Sequence, residues 1–252
     1  MGGGLAQKMF VRRRNITRDI AMRKSILIFL LTGYFVATGY GQKTGTTGWF
    51  FLSNTHKFAK RFDILTDLQL RSADRFSYLN TVLLRAAINY HLREQHAVAL
   101  GYTYKGDWER DEEGRTFSPE HRVYEQYLYD FKLGKTEMTI RARVEQRFVK
   151  GDETFEFSQR ARAFISAQIP LITDKGFTKG LYAGLQNELF CNVQHKSRVN
   201  GNFFDQNRSL VSLGYRFNKI IDAEIGYMYW YQEEAQGINR TNVLQVMFTT
   251  KF

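Results

Sequence analysis

The stretch Thr241-Asn-Val-Leu-Gln-Val-Met-Phe-Thr-Thr-Lys-Phe252 decides how the rest of the chain is read. Successive side chains of a strand point to opposite faces. Leu244, Val246, Phe248 and Thr250 therefore share one mainly apolar face, while Val243, Gln245, Met247, Thr249 and Lys251 form a mostly polar one. The stretch ends on an aromatic residue, Phe252, whereas soluble domains usually fray into polar residues.

Working outward, the same two-residue period recurs. Val82, Leu84, Ala86, Ile88 and Tyr90 oppose Arg85, Asn89 and His91; Met138, Ile140, Ala142, Val144 and Phe148 oppose Arg141, Arg143, Glu145 and Arg147. Ala161, Ala163, Ile165, Ala167 and Ile169 alternate with Arg160, Arg162, Ser166 and Gln168, and Pro170 is expected to end that strand. Further segments start near Phe62, Val98, Arg122, Leu181, Arg208 and Ile221, and an aromatic-rich one of ambiguous phase spans residues 49–57. Segments of about ten alternating residues separated by turns are the signature of a transmembrane β-barrel. Beyond residue 42 no run reaches the roughly 18 apolar residues of a membrane helix. The expected fold is all-β, an antiparallel transmembrane barrel of about ten to twelve strands. Eleven segments are visible, against the even number usual in bacterial barrels. Either the first is not a full strand or another precedes it. Short turns after the third, fifth and ninth segments and longer loops at 105–120, 192–207 and 233–240 fit short periplasmic turns facing longer outer loops.

The cations show which face is enclosed. The polar strand faces carry arginines, whereas Lys60, Lys105, Lys132, Lys135, Lys150, Lys175, Lys179, Lys196 and Lys219 fall in expected turns and loops. A solvated face has little reason to exclude lysine, and the planar guanidinium suits an enclosed site shared with carboxylates. The polar face is thus expected inside and the apolar face against lipid. Tyr90, Tyr102, Tyr104, Tyr215, Tyr229 and Tyr231 would then form interfacial girdles.

Composition narrows the alternatives. The 252 residues carry a formal charge of +11, but residues 1–41 hold 7 basic residues against 1 acid, so most of the excess lies there and a nucleic-acid partner is not expected. Met22-Arg-Lys24, the apolar run from Ser25 to Ala37, and small residues at Gly39 and Gly41 match a secretory signal peptide cleaved after Gly41. Residues 1–21 read as an over-extended start, with a twin-arginine signal at Arg12-Arg-Arg14 as the alternative. The expected division is an N-terminal extension and signal peptide over 1–41 and a barrel over 42–252. The single cysteine, Cys191, excludes an intramolecular disulfide and a thiol metal cluster, and no lipid-attachment cysteine lies near the leader.

Arg61-Phe-Asp-Ile-Leu-Thr-Asp-Leu-Gln-Leu-Arg71, Arg141-Ala-Arg-Val-Glu-Gln-Arg147, Gln159-Arg-Ala-Arg162, Leu185-Gln-Asn-Glu-Leu-Phe190 and Phe204-Asp-Gln-Asn-Arg-Ser209 resemble an outer-membrane barrel family known as domain of unknown function 2490. The resemblance covers about residues 45–252. It implies export and a barrel, and supplies no catalytic residues.

The candidate site is an interior charge cluster: Asp63, Asp67, Arg85, Arg141, Arg143, Glu145, Arg147, Arg160, Arg162, Glu188, Arg208, Arg216 and Glu224. Unpaired charges in a narrow barrel would be costly, so a salt-bridged plug with a structural or binding role is the leading expectation. Eight arginines against five acids leave a narrow channel or pocket for small anionic solutes as the alternative. A lipid hydrolase needs a serine with a histidine base, and the histidines, His121 in an expected outer loop among them, have no spacing motif. A non-enzymatic barrel is therefore expected, with a lipid-modifying enzyme as the second alternative, and no cofactor or metal is expected. The expected partners are outer-membrane lipid, the barrel assembly machinery reading Phe248 and Phe252, and a small solute. Trp108, Phe117, Phe203 and Phe204 mark the expected long loops as places for ligand contact or inward capping.

Overall fold

The computed structural model describes residues 43–111, 114–151, 153–235 and 237–252; the expected signal peptide lies outside them. Eleven strands follow one another: β1 (Lys43–Ala59), β2 (Phe62–Ser72), β3 (Leu79–Arg93), β4 (His96–Asp111), β5 (Gly114–Leu133), β6 (Thr136–Lys150), β7 (Phe155–Thr173), β8 (Gly180–Gln194), β9 (Phe204–Arg216), β10 (Ile221–Glu234) and β11 (Gly237–Lys251). Each pairs antiparallel with its neighbours in sequence, and β1 meets β11 to close the barrel. With an odd number of up-and-down strands the first and last run in the same direction. The closing pair is accordingly parallel, from Lys43↔Asn239 to Thr55↔Lys251. The aromatic segment at 49–57 is thus part of a full strand, and the usual even count does not hold among the described residues. Parallel pairing is slightly weaker per residue. Two features brace this seam. The Asp74 carboxylate, in a short 3₁₀ turn after β2, accepts a hydrogen bond from the Thr46 amide at 2.7 Å. The Phe76 ring lies so close over Gly48 that a Cβ there would sit 2.5 Å from it.

One barrel end carries the connections after β1, β3, β5, β7 and β9, here called the turn end, and the other is the loop end. Phe252 lies at the turn end, its N–H donating to the Thr55 carbonyl and its own carbonyl accepting from Lys57 N–H. Several expectations at the ends are corrected. Residues 233–240 are not a long loop, because β10 and β11 stay paired through Glu233↔Ile238 and Glu234↔Gly237, and the expected loop 192–207 narrows to 195–203. Residues 105–120 are not a long loop: β4 and β5 stay paired from Lys105↔Glu120 to Asp111↔Gly114, and Trp108 packs on Phe117 with centroids 4.9 Å apart and the rings tilted by 33°. Pro170 does not end its strand either, because β7 runs to Thr173 past a register shift between Pro170 and Ile172. A bulge accommodates the missing amide.

Alternation sorts the side chains as the period requires. Leu84, Ile88, Leu100, Val211, Leu213, Ile225, Leu244 and Phe248 face outward and are exposed, while arginines, carboxylates and amides fill the interior. Glu125 and Gln146 depart from this, facing outward and bonding each other at 3.0 Å. Apolar residues also enter the interior: Trp49, Leu210, Met228 and Val243 form one buried cluster, and Tyr124 packs with Ala87 and Ala99 in another. Tyr124 lies flat because Gly101 faces it; a Cβ at that glycine would come within 2.3 Å of the ring. The β7–β8 turn folds Phe177 inward in a left-handed conformation (φ 51°). Its shape is held by Asp174, whose carboxyl lies below the usual carboxylate range because the Thr178 hydroxyl and amide donate to it.

Candidate functional site: the arginine–carboxylate interior

The period that places arginines on β6 and β7 also places them in register, Arg143↔Arg162 and Glu145↔Arg160. Like charges facing each other repel unless carboxylates intervene. Glu145, fully buried, accepts from Arg160 at 2.7 Å and from Arg162 at 2.5 Å, and lies 3.6 Å from Arg143. Glu188 on β8 bridges Arg141 at 2.6 Å and Arg162 at 2.7 Å, and Asp205 on β9 takes the far side of Arg160 at 2.7 Å. Arg143 is completed by Gln126 (2.6 Å) and by the Tyr124 ring, 4.1 Å from its guanidinium carbon. Six of the expected cluster residues, Arg141, Arg143, Glu145, Arg160, Arg162 and Glu188, thus form one network across β6, β7 and β8. Charge-assisted contacts of this kind are the strong class of hydrogen bond.

The other expected residues lie inside but apart from it. Arg147 pairs with Glu120 (2.6 Å), which also holds Arg122 (2.7 Å). Arg85 pairs with Asp67 at 2.9 Å. Asp63 contacts His91 (2.5 Å) and Asn89 (3.3 Å) near the turn end. Arg216 binds Asp222 (2.9 Å), Glu137 (3.1 Å), Gln168 (2.8 Å) and the Phe177 carbonyl (2.8 Å), with its guanidinium 4.0 Å from the Phe177 ring centroid. Glu224 accepts from the hydroxyls of Tyr182 (3.0 Å) and Ser212 (2.6 Å). Arg208 bonds Gln206 (2.9 Å) and no carboxylate lies within ion-pair distance of it among the described residues.

Several members were not picked out from the sequence. Glu120 falls in the expected loop 105–120, and Arg122 opens a segment in which the alternation leaves the phase open. Asp205 escapes the period altogether: a register shift between Phe190 and Cys191 leaves consecutive residues Asp205 and Gln206 both buried. Arg71 shares the inward face of β2 with Asp63, Asp67 and Gln69 but has no acid in register with it.

A cavity of about 450 Å³ runs beside the network, walled on the opposite side by β10, β11, β1 and β2. A second, at the loop end, shares Trp49, Arg71, Lys105, Trp230 and Gln232 with it and carries Asp74, Asp107, Glu109 and Glu234. Neither wall includes the Asp63–His91 pair or the Arg216–Phe177 layer at the turn end. Among the described residues no group of three or more metal-ligating side chains converges. His121 faces outward, with its Nδ1 2.5 Å from the Tyr102 hydroxyl and its ring against Tyr104 and Phe155.

An apolar outer surface around ion-paired arginines defines the class: a closed, eleven-stranded β-barrel of inverted polarity. The chain belongs to the family described as "Protein of unknown function (DUF2490)", whose profile matches residues 46–242. No curated protein matches the chain, and no solved structure does.

Proposed function

We propose that the protein is an exported outer-membrane β-barrel with a charge-filled lumen, serving a structural or ligand-binding role. The observation that carries this reading is the inverted polarity. A soluble barrel exposing Ile88, Leu100, Val211 and Ile225 around its waist would present an apolar surface far beyond what water tolerates, whereas lipid requires it. Two aromatic belts support it. Phe62 with Tyr90, His96 with Tyr129 and Tyr215 with Phe217 lie toward the turn end; Tyr102 with His121, Phe148 with Phe157 and Phe204 with Tyr231 lie toward the loop end. Rings at both ends of an apolar band match the interfacial girdles of membrane barrels. The loop end carries the longest connection, residues 195–203, so the turn end is read as facing the periplasm. Cell fractionation with protease digestion from the outside tests the reading: a protein recovered in the soluble fraction would overturn it.

The filled layer at the turn end favours a closed barrel over an open channel. Asp63, His91, Phe177 and Arg216 occupy that end and line neither cavity, while the central one reaches Thr55 and Thr249 on the β1–β11 side. Refolded protein in a planar bilayer is expected to give no ion-selective steps; regular steps would replace this reading with that of a narrow anion channel. A non-enzymatic role fits the histidines, since His91, His96 and His121 bond Asp63, Tyr127 and Tyr102 rather than a serine.

The assembly signal belongs to the same reading. Phe248 faces outward on β11 with its ring 6.0 Å from Phe50 across the seam, and Phe252 supplies two backbone hydrogen bonds to β1. Deleting Phe252 removes both bonds from a weaker parallel seam together with the terminal ring. Assembly into the outer membrane is expected to fall several-fold, measured as the heat-modifiable folded band; normal assembly would remove this role from Phe252.

A further inference from the structure

Two interior arginines stand apart from the ion-pair network. Arg85, Arg122, Arg141, Arg147, Arg160, Arg162 and Arg216 each lie within 3.1 Å of a carboxylate oxygen, and Arg143 lies 3.6 Å from Glu145. Arg71 and Arg208 meet only amide oxygens, Gln69 at 2.7 Å and Gln206 at 2.9 Å, and the buried Arg71 Nε has no hydrogen-bond partner. Burying a guanidinium without a counter-charge is unfavourable, and contact with an aromatic face offsets only part of that cost. Both groups nevertheless sit against tryptophan: Arg71 is 3.8 Å from the Trp49 centroid, and Arg208 is 5.0 Å from Trp49 and 5.1 Å from Trp230. The two indoles meet edge to face at 5.3 Å, and Trp230 is fixed by donating to the same Gln206 oxygen at 2.7 Å. All four side chains line the central cavity, and Trp49, Arg71 and Trp230 also border the cavity at the loop end. Lys105, the other cation shared by both walls, is already paired with Asp107.

We propose that Arg71, Arg208, Trp49 and Trp230 form a binding site for a small organic anion carrying a flat apolar group, in the simplest case an aromatic carboxylate. The carboxylate would take the guanidinium hydrogens that no protein acid meets, and the ring would lie against the indoles. The cation count explains the preference for an anion, and the indole walls explain why a bare anion is not enough. The site deepens the ligand-binding half of the proposed function and rests on entry from the loop end.

The test uses the full barrel refolded in detergent, with benzoate, acetate and benzamide titrated by calorimetry and by quenching of tryptophan fluorescence. Benzoate is expected to bind saturably, at least about tenfold tighter than acetate, which lacks the ring, or benzamide, which lacks the charge. Arg71→Gln and Arg208→Gln are each expected to weaken benzoate binding by about tenfold or more, with Arg198→Gln at the exposed β8–β9 loop unchanged. Absence of saturable benzoate binding by the folded wild-type barrel overturns the proposal whether or not the variants fold. Benzamide equal to benzoate removes the anion from it, and acetate equal to benzoate removes the aromatic wall. Liposome flotation separates this inference from the membrane reading. A protein that binds benzoate but does not float keeps the site and loses the membrane; one that floats without binding does the reverse.

Discussion

Glu145→Ala is expected to destabilise the folded barrel by about 3–5 kcal/mol, the range found when one partner is removed from a buried ion pair. Glu145 is fully buried and its two oxygens serve Arg160 and Arg162, with Arg143 at 3.6 Å. Without it three guanidinium groups on β6 and β7 face one another with no carboxylate between them. Asp205 and Glu188 still hold the outer sides of Arg160 and Arg162, which places the loss within that range rather than beyond it. Glu145→Gln keeps the shape and one acceptor oxygen, so its loss is expected to be smaller. Asp67→Ala removes a single pair, with Arg85, and is expected to fall below both. Denaturant unfolding of refolded protein, followed by tryptophan fluorescence, measures the series. A loss under about 1 kcal/mol for Glu145→Ala would mean that the interior behaves like a solvated surface, and the plugged-lumen account would fail.

The sequence carries this network unevenly, and the reason is the reach of a two-residue period. Where β6 and β7 alternate without interruption, Arg141, Arg143, Glu145, Arg160 and Arg162 can be assigned to one face before any pairing is known. Where a bulge intervenes the phase is lost, and Asp205 passes unnoticed although it completes Arg160. Hydrophobic alternation also reports only the band where one face must be apolar. The β4–β5 hairpin continues beyond that band with polar residues on both faces, so residues 105–120 look like a loop although their pairing never stops. Closure is non-local. Nothing in the residues of β1 or β11 dictates that they meet, and the parallel seam follows only from how many strands precede it. The Arg71–Arg208 site is hidden for a related reason: its members come from β1, β2, β9 and β10, and tryptophans next to arginines on distant strands have no spacing to recognise.

Ile225→Arg is expected to separate lipid from water as the medium around the barrel. Ile225 faces outward on β10, is 53% exposed, and is flanked by Val246 on β11 and Leu213 on β9, so no carboxylate in register on the neighbouring strands would receive a new guanidinium. In a bilayer an arginine on the lipid face near the midplane costs about 2–4 kcal/mol, falling to about 0–1 kcal/mol at the interface. Ile220→Arg, exposed in the β9–β10 turn, supplies the interfacial comparison in the same protein. The expected outcome is a marked loss of folded protein in liposomes for Ile225→Arg and near-normal folding for Ile220→Arg. In a soluble barrel both are surface substitutions, each within about 0.5 kcal/mol of neutral. The depth dependence, rather than either value alone, carries the argument, because a general defect in folding would not distinguish a residue at mid-barrel from one at its rim. Equal tolerance of the two would place water around the apolar belt and remove the membrane from the proposed function, while the interior ion pairs, which depend only on closure of the barrel, would stand.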